Sequence, residues 1–363
     1  RNQQKVIGSR MMGGGFGGKE SLGNLPAIVA ALAAKLTGRP AKLIYDRDDD
    51  FILTGKRHDF QISYKVGFED NGLITSVLVD QALRCGMSWD LSEAIAARAM
   101  CHAENSYFIK NMRITSHRLK TNTQSNTAFR GFGGPQGIVG MERVIDHVAH
   151  HLNVDPLLVR ERNFYPHKTS ATHGITPYGQ TVHDCIIQDI ISELKKTSDY
   201  ADRREDIEKF NKNSEFLKRG ISLTPVQFGI SFNASFLNQA GALLHVYNDG
   251  SVYLNHGGTE MGQGLNTKIA QIVANEFQLP LDTIKITATS TGKVPNTSAT
   301  AASSGSDLNG MAAKNAAEKI KSPMAEYLAA EAQIKPEAIA FDDGMVIVGA
   351  NSYDFAEAVR RCY

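Results

Sequence analysis

The sequence predicts an α+β fold built from two similar mixed α/β units, and three observations predict it. Its 363 residues suit two domains at roughly 150 residues each. Its 32 glycines are bunched at Gly13–Gly18, Gly131–Gly137 and Gly257–Gly264, each bunch near a predicted strand and ahead of a predicted helix. Between the halves, residues 193–219 crowd charges together and thin out aromatics, as a solvated helix or an interdomain linker does. We therefore expect a first domain over 1–192, a charged linker or helix over 193–219, and a second domain over 220–363.

The elements follow in order. Lys5 to Met12 reads as a short strand running into the first glycine loop. A helix follows, with Asn24 as cap, Pro26 in its first turn, and Leu25, Ile28, Val29, Leu32 and Leu36 on one apolar face. Gly38 and Pro40 stop it. Phe60, Ile62, Tyr64, Val66 and Phe68 alternate with polar residues, the period of a half-buried strand, and Asn71-Gly72 turns the chain into a second strand from Leu73. Ser106 to Leu119 reads as extended and Lys120 to Gln136 as a polar loop. A helix from about Ile138 then carries Met141, Val144, Ile145 and Val148. The second half runs through a similar succession of strand, Asn248-Asp249-Gly250 turn, strand and glycine loop, then a helix with Leu265, Ile269, Ile272 and Val273 on one face. Asp342-Asp343-Gly344 begins a third hairpin.

Composition narrows the function classes. Lys plus Arg is 39 and Asp plus Glu is 38, which leaves no electrostatic footprint for nucleic acid or an anionic membrane. The longest clean apolar stretch, Ala27 to Ala34, is far short of the ~20 residues of a spanning helix. Four scattered cysteines exclude a disulfide scaffold and a zinc ribbon, and suit a reducing, cytoplasmic compartment. His147 and His151 have the spacing of a zinc protease, but Val148 stands where its Glu belongs, so they read as solvated or packed histidines. The Asp46–Asp50 run lacks the glycine and terminal Glu of a calcium loop and reads as a charged surface turn.

The first glycine loop nearly satisfies two phosphate-binding patterns. A P-loop needs Ser or Thr after Lys19, and Glu20 stands there instead. The dinucleotide pattern needs a helix straight after the glycines, and this one starts only past Asn24. Tight turns would explain one cluster. Three clusters, with Phe16, Arg130 and Gln263 embedded, point to several loops that bring main-chain N–H groups close to one large polar ligand.

Met12–Glu20 (MGGGFGGKE), Asn126–Gln136 (NTAFRGFGGPQ), Phe228–Phe232 (FGISF), Gly257–Gly264 (GGTEMGQG) and Val294–Ser303 (VPNTSATAAS) occur in this order. Together they resemble the molybdopterin-binding part of the xanthine dehydrogenases, within the molybdenum hydroxylase family, and the likeness covers essentially the whole chain. The resemblance implies glycine-rich loops converging on a molybdenum–molybdopterin site between the two units. It implies contacts to the molybdenum centre from Phe16, Arg130 and Ala302, and cofactor contacts from Gly15, Gly17, Gly262, Gln263, Gly264 and Ala301. For the substrate it implies Glu20 and Arg98 as a polar pair gripping a purine, and Phe132 and Phe232 as its aromatic holders. It implies a polar contact from Asn233, at the place where mammalian members usually carry Thr. Glu20 would accept a ring N–H or, when protonated, donate one. Arg98 would support negative charge building on the ring with paired donors. Read without the resemblance, Arg98 is a solvated helix residue, Glu20 a first-turn helix acid, and the two Phe residues core. Aldehyde-oxidising members usually carry neutral or aromatic residues at the Glu20 and Arg98 places, so both together favour a purine.

The family's general base, a Glu in a Gly-Glu-Pro motif, does not occur here, and no catalytic residue is assigned within the chain. The family's upstream Gln loop would precede Arg1. We therefore expect a central part of a catalytic subunit, inactive alone, with flanking segments outside the chain. Cys85, Cys101, Cys185 and Cys362 do not form the run that an iron–sulfur cluster needs. The resemblance places [2Fe–2S] and FAD on a partner chain or a preceding segment, in an assembly expected to be dimeric.

Overall fold

The computed structural model describes residues 7–9, 11–293 and 297–363. Parts of the expected Lys5–Met12 strand and of the Val294–Ser303 motif lie outside the described residues. By its internal contacts the chain divides into Gly17–Gly229 and a discontinuous unit made of the described residues up to Phe16 with Ile230–Tyr363. The first element, β1 (Gly8–Ser9), belongs to the discontinuous unit.

Within Gly17–Gly229, helix α1 (Asn24–Thr37) follows the first glycine loop. Gly23 rather than Asn24 holds the N-cap position, and no side chain caps the helix. Gly38, at φ 67, closes it in the left-handed turn that glycine allows. The five apolar residues expected to face a core, Leu25, Ile28, Val29, Leu32 and Leu36, are all exposed. The expected acidic surface turn is instead a helix, α2 (Arg47–Leu53). Asp46 caps it by accepting the Asp49 N–H at 2.8 Å, and three acids sit in its first turn, where the helix dipole favours them.

The sheet of this unit forms as the alternation dictates. β2 (Phe60–Phe68) and β3 (Ile74–Gly86) make an antiparallel hairpin about Asn71-Gly72. Helix α3 (Ser92–Cys101) then carries the chain across to β4 (Asn111–Lys120), which lies parallel to β3. The long helix α4 (Gly134–Leu152) starts four residues before the expected Ile138, with Pro135 in its first turn. Met141, Val144, Ile145 and Val148 pack with Ile74, Val77 and Val79 of the sheet. His147 hydrogen-bonds Tyr64, and the His151 ring lies 5.5 Å edge-on from Phe68. Helix α5 (Pro156–Asn163) is pinned to α4 by Arg160, which is 1% exposed and bonds Glu142 and Asp146 at 2.8 Å each.

A short ribbon, β5 (Gly174–Ile175) with β6 (Thr181–Val182), precedes α6 (Ile187–Thr197) and α7 (Tyr200–Asn213). The charged stretch 193–219 falls on the end of α6 and on α7, inside this unit. Ile191 and Tyr200 bury into the same core.

The second unit repeats the plan. β7 (Ala242–Val246) and β8 (Val252–His256) form an antiparallel hairpin about the Asn248–Gly250 turn, and helix α8 (Leu265–Phe277) leads to β9 (Ile284–Ile286), parallel to β8. Hairpin, helix and parallel third strand recur in the order seen in the first unit. β10 (Thr289–Ser290) pairs antiparallel with β1. A 28-residue helix, α9 (Gly305–Ala332), packs on α8 through Ala313 and Ala317, beside Ile269, Val273 and Phe277. The unit closes with the meander β11 (Ile339–Asp342), β12 (Met345–Val348) and β13 (Asn351–Asp354), then α10 (Phe355–Cys362). The fold is α+β, with a three-stranded mixed sheet at the centre of each unit.

Candidate functional site

Close approach at glycine assembles the loops of the first unit. A Cβ on Gly17 would lie 2.2 Å from the Ala128 carbonyl oxygen, and the residue sits at φ +133. Only glycine lets the first loop lie on the Ala128–Phe129 main chain. A Cβ on Gly133 would likewise meet the Ile95 carbonyl oxygen at 2.2 Å, so the second loop lies tight on α3. These two approaches put Glu20, Arg98, Arg130 and Phe132 on neighbouring segments.

Glu20 lies in the turn before α1, not in the helix itself, and its Oε2 is buried with no hydrogen-bond partner among the described residues. Arg98 is 4% exposed, which removes the solvated-arginine alternative. Its Nη1 donates to the Gly229 carbonyl at 2.8 Å, and its guanidinium lies 5.7 Å from the Phe228 ring centre. Burial pulls its pKa below the usual arginine value. One turn on, His102 packs at 4.7 Å from the same ring and accepts the Gly229 N–H at 3.0 Å. Arg130 is exposed, and its carbonyl accepts from Arg57 Nη2 at 2.6 Å while Arg57 stacks on Phe129 at 4.4 Å. Sequence reasoning passed over Arg57, because an arginine four residues after an apolar run carries no motif of its own.

Three hydrogen bonds draw the predicted residues of the second unit together. Met12 N–H donates to the Glu260 carbonyl at 2.9 Å, tying the segment that ends in Gly15 and Phe16 to the loop of Gly262–Gly264. Thr259 N–H donates to Thr300 Oγ1 at 2.9 Å, beside Ala301 and Ala302. Ser231 N–H donates to the Ala302 carbonyl at 2.8 Å, next to Phe232 and Asn233. The Asn238 side chain holds both main-chain polar groups of Phe232, while Asn233 is exposed. Gln263 turns its carboxamide back on its own loop, accepting from Met261 N–H at 2.6 Å and donating to the Thr259 carbonyl at 3.0 Å.

Backbone strain marks the same places. Phe16 (φ 46), Phe132 (φ 51) and Ala302 (φ 55) all occupy the left-handed region that non-glycine residues avoid. Such conformations persist where surrounding contacts over-determine them, and they cluster at binding and catalytic sites. Among the described residues, no three His, Cys, Asp or Glu side chains gather as a metal site, and no helix is long and apolar enough to cross a membrane.

The molybdopterin cofactor-binding domain family matches residues 2–164, and a second family of the same description matches residues 193–363. This chain belongs to the molybdopterin cofactor-binding family. It is 45% identical over 319 residues to the xanthine dehydrogenase of Blastobotrys adeninivorans, covering 88% of this chain and 22% of that protein. It is 47% identical over 315 residues to the xanthine dehydrogenase/oxidase of Gallus gallus, covering 87% and 23%. The chain thus spans less than a quarter of these curated relatives. In fold it is similar to quinoline 2-oxidoreductase from Pseudomonas putida 86, with a TM-score of 0.84 at 22% identity over 98% of this chain and 46% of that one. The sequence likeness is to xanthine dehydrogenases, and the likeness to the solved structure is one of fold.

The residues fit a molybdopterin group on this structure's own terms. The loop carrying Phe16 and Gly17 needs the absence of Cβ atoms to lie where it does, Phe16 itself is 65% exposed, and Glu20 holds an unpartnered acceptor below the surface. A loop that only glycine can seat, an exposed aromatic beside it and a buried acceptor form a surface that a large polar group can meet.

Proposed function

We propose that this chain is the central, cofactor-holding part of a molybdenum hydroxylase catalytic subunit that oxidises hypoxanthine and xanthine to urate. The observation that carries the reading is the buried, unpartnered Oε2 of Glu20. A buried carboxylate oxygen without a donor is costly unless a ligand supplies one, and a purine ring N–H does so. The xanthine dehydrogenase relatives lend the same support.

Bound molybdenum–molybdopterin supplies the two-electron acceptor and the water-derived oxygen. This chain's residues hold the cofactor and the substrate. Phe16, Arg130 and Ala302 contact the metal end of the cofactor, and Gly15, Gly17, Gly262, Gln263, Gly264 and Ala301 hold its pterin. Glu20 accepts the ring N–H and selects the tautomer. Arg98 stabilises negative charge on the ring while its Nη1 donates to the Gly229 carbonyl. Phe132 and Phe232 hold a flat ring at small entropic cost, and Asn233 adds a polar contact. Flanking segments of the subunit supply the general base, and a [2Fe–2S] and FAD segment or subunit carries electrons to NAD. The assembly is a cytoplasmic dimer.

The test is turnover of xanthine against a simple aromatic aldehyde by the native assembly, with molybdenum content measured in parallel. Urate formation with little aldehyde oxidation, abolished by Arg98→Met, is the expected result. Aldehyde turnover without urate replaces the purine by an aldehyde. No turnover and no molybdenum leaves a non-catalytic scaffold.

A further inference from the structure

Glu260 plays no part in the roles assigned above, yet it is the most heavily bonded acid in the second unit. It is 7% exposed. Its Oε1 accepts the N–H groups of Gly262 at 2.9 Å and Gly264 at 3.1 Å, and its Oε2 accepts the N–H of Asn266, in the first turn of α8, at 3.0 Å. Its carbonyl accepts the Met12 N–H, four residues before Phe16. Burial by itself raises a carboxyl pKa, but the main-chain donors of Asn266, Gly262, Gly264 and Met261 outweigh it and hold Glu260 below the usual carboxylate range.

A glycine-rich turn leading into a helix is an anion-binding arrangement, because its N–H groups and the helix dipole converge. Here the chain supplies the anion itself. We infer that Glu260 is the positioning residue of the cofactor loop: its carboxylate fills the main-chain N–H cluster ahead of α8 and leaves Gln263 as the loop's outward donor. The Gln263 main-chain N–H has no acceptor among the described residues, and the residue is exposed. Gly262 and Gly264 therefore act on the cofactor through their shape, since their N–H groups are already spent. The same carboxylate and carbonyl fix Gln263 against the segment that ends in Phe16, so both predicted cofactor contacts share one anchor.

The inference rests on the molybdopterin reading, so the wild-type native assembly is measured first. Glu260→Gln keeps the size but turns an amide NH2 onto N–H donors. It is expected to speed amide exchange in the 257–266 peptide and to lower the molybdenum- and pterin-to-protein ratios about tenfold, the effect of losing a charge-assisted hydrogen bond. Glu260→Asp keeps the charge one methylene short and is expected to lose less of both, a rescue that mere loop packing would not give. Wild-type exchange and wild-type ratios in either variant that folds overturn the inference alone. A wild-type assembly with neither molybdenum nor pterin overturns the cofactor reading and the inference together.

Discussion

Helices α1 and α4 both follow a glycine-rich loop, both belong to the Gly17–Gly229 unit, and both carry an apolar face at helical spacing. They differ in what covers that face. α4 buries Met141, Val144, Ile145, Val148 and Ala149, while α1 buries nothing, although it is the more apolar of the two. The amphipathic pattern states which face of a helix seeks cover. It does not state what provides it. A helix with so few polar residues, lying open on its unit, reads as a surface kept for something else, and the proposed flanking segments of the subunit are its expected cover.

Four measurements test this contrast. The largest effect is expected at Arg160→Met, which leaves Glu142 and Asp146 facing an apolar side chain. Urea unfolding should show a loss of about 3–5 kcal/mol, the usual result of orphaning one partner of a buried pair. A loss under about 1 kcal/mol would mean that α4 and α5 are not locked together as described. Next, Ile145→Ala should cost about 2–5 kcal/mol, because its side chain is fully buried against the sheet.

The covered side also suppresses a charge. Burial raises the Glu104 carboxyl to about 8, against a smaller lowering by a main-chain N–H. Its folded pKa lies above its unfolded one, so its share of stability is complete below about pH 4.5 and declines as the pH rises, until the folded carboxyl itself ionises near 8. Across that window the slope should reach about 1.4 kcal/mol per pH unit, and Glu104→Gln should flatten it. A pH-independent midpoint in the wild type would show that this carboxyl is not buried in its neutral form. The smallest effect is expected at Leu32→Ala on α1, within about 0.5 kcal/mol for the chain by itself. The same change measured in the whole assembly should cost several-fold more, and equal small losses in both settings would sink the idea that α1 is covered there.

The hairpins β2–β3, β7–β8 and β11–β12 were legible because the Asn-Gly and Asp-Gly turns are local signals. The parallel third strand of the first unit was read only as extended and β9 was not read at all, since pairing across a helix leaves no mark in the strand itself. Arg98 shows the limit of spacing: its helix turn looks solvent-facing in sequence, yet Gly133 and Gly137 bring the neighbouring loop and α4 so close that the arginine is buried. The candidate residues were legible through five ordered motifs rather than through any period. Glu260 was not, because one acid among glycines announces a bond to main chain only when the turn is seen. An acid among glycines immediately ahead of an apolar helix is the signal that could have found it.

β1 and β10 form a ladder of only two residue pairs, supported by the bond from Ile7 N–H to Thr291 Oγ1 across 284 positions of sequence. Closing so long a loop costs entropy that grows only with the logarithm of its length, but contacts at great sequence separation form slowly. Almost the entire chain has to be in place before the strand leading to Phe16 finds its partner. The Met12–Glu260 bond, and with it the cradle around Gln263, carries the same closure cost, since it joins residues 248 positions apart.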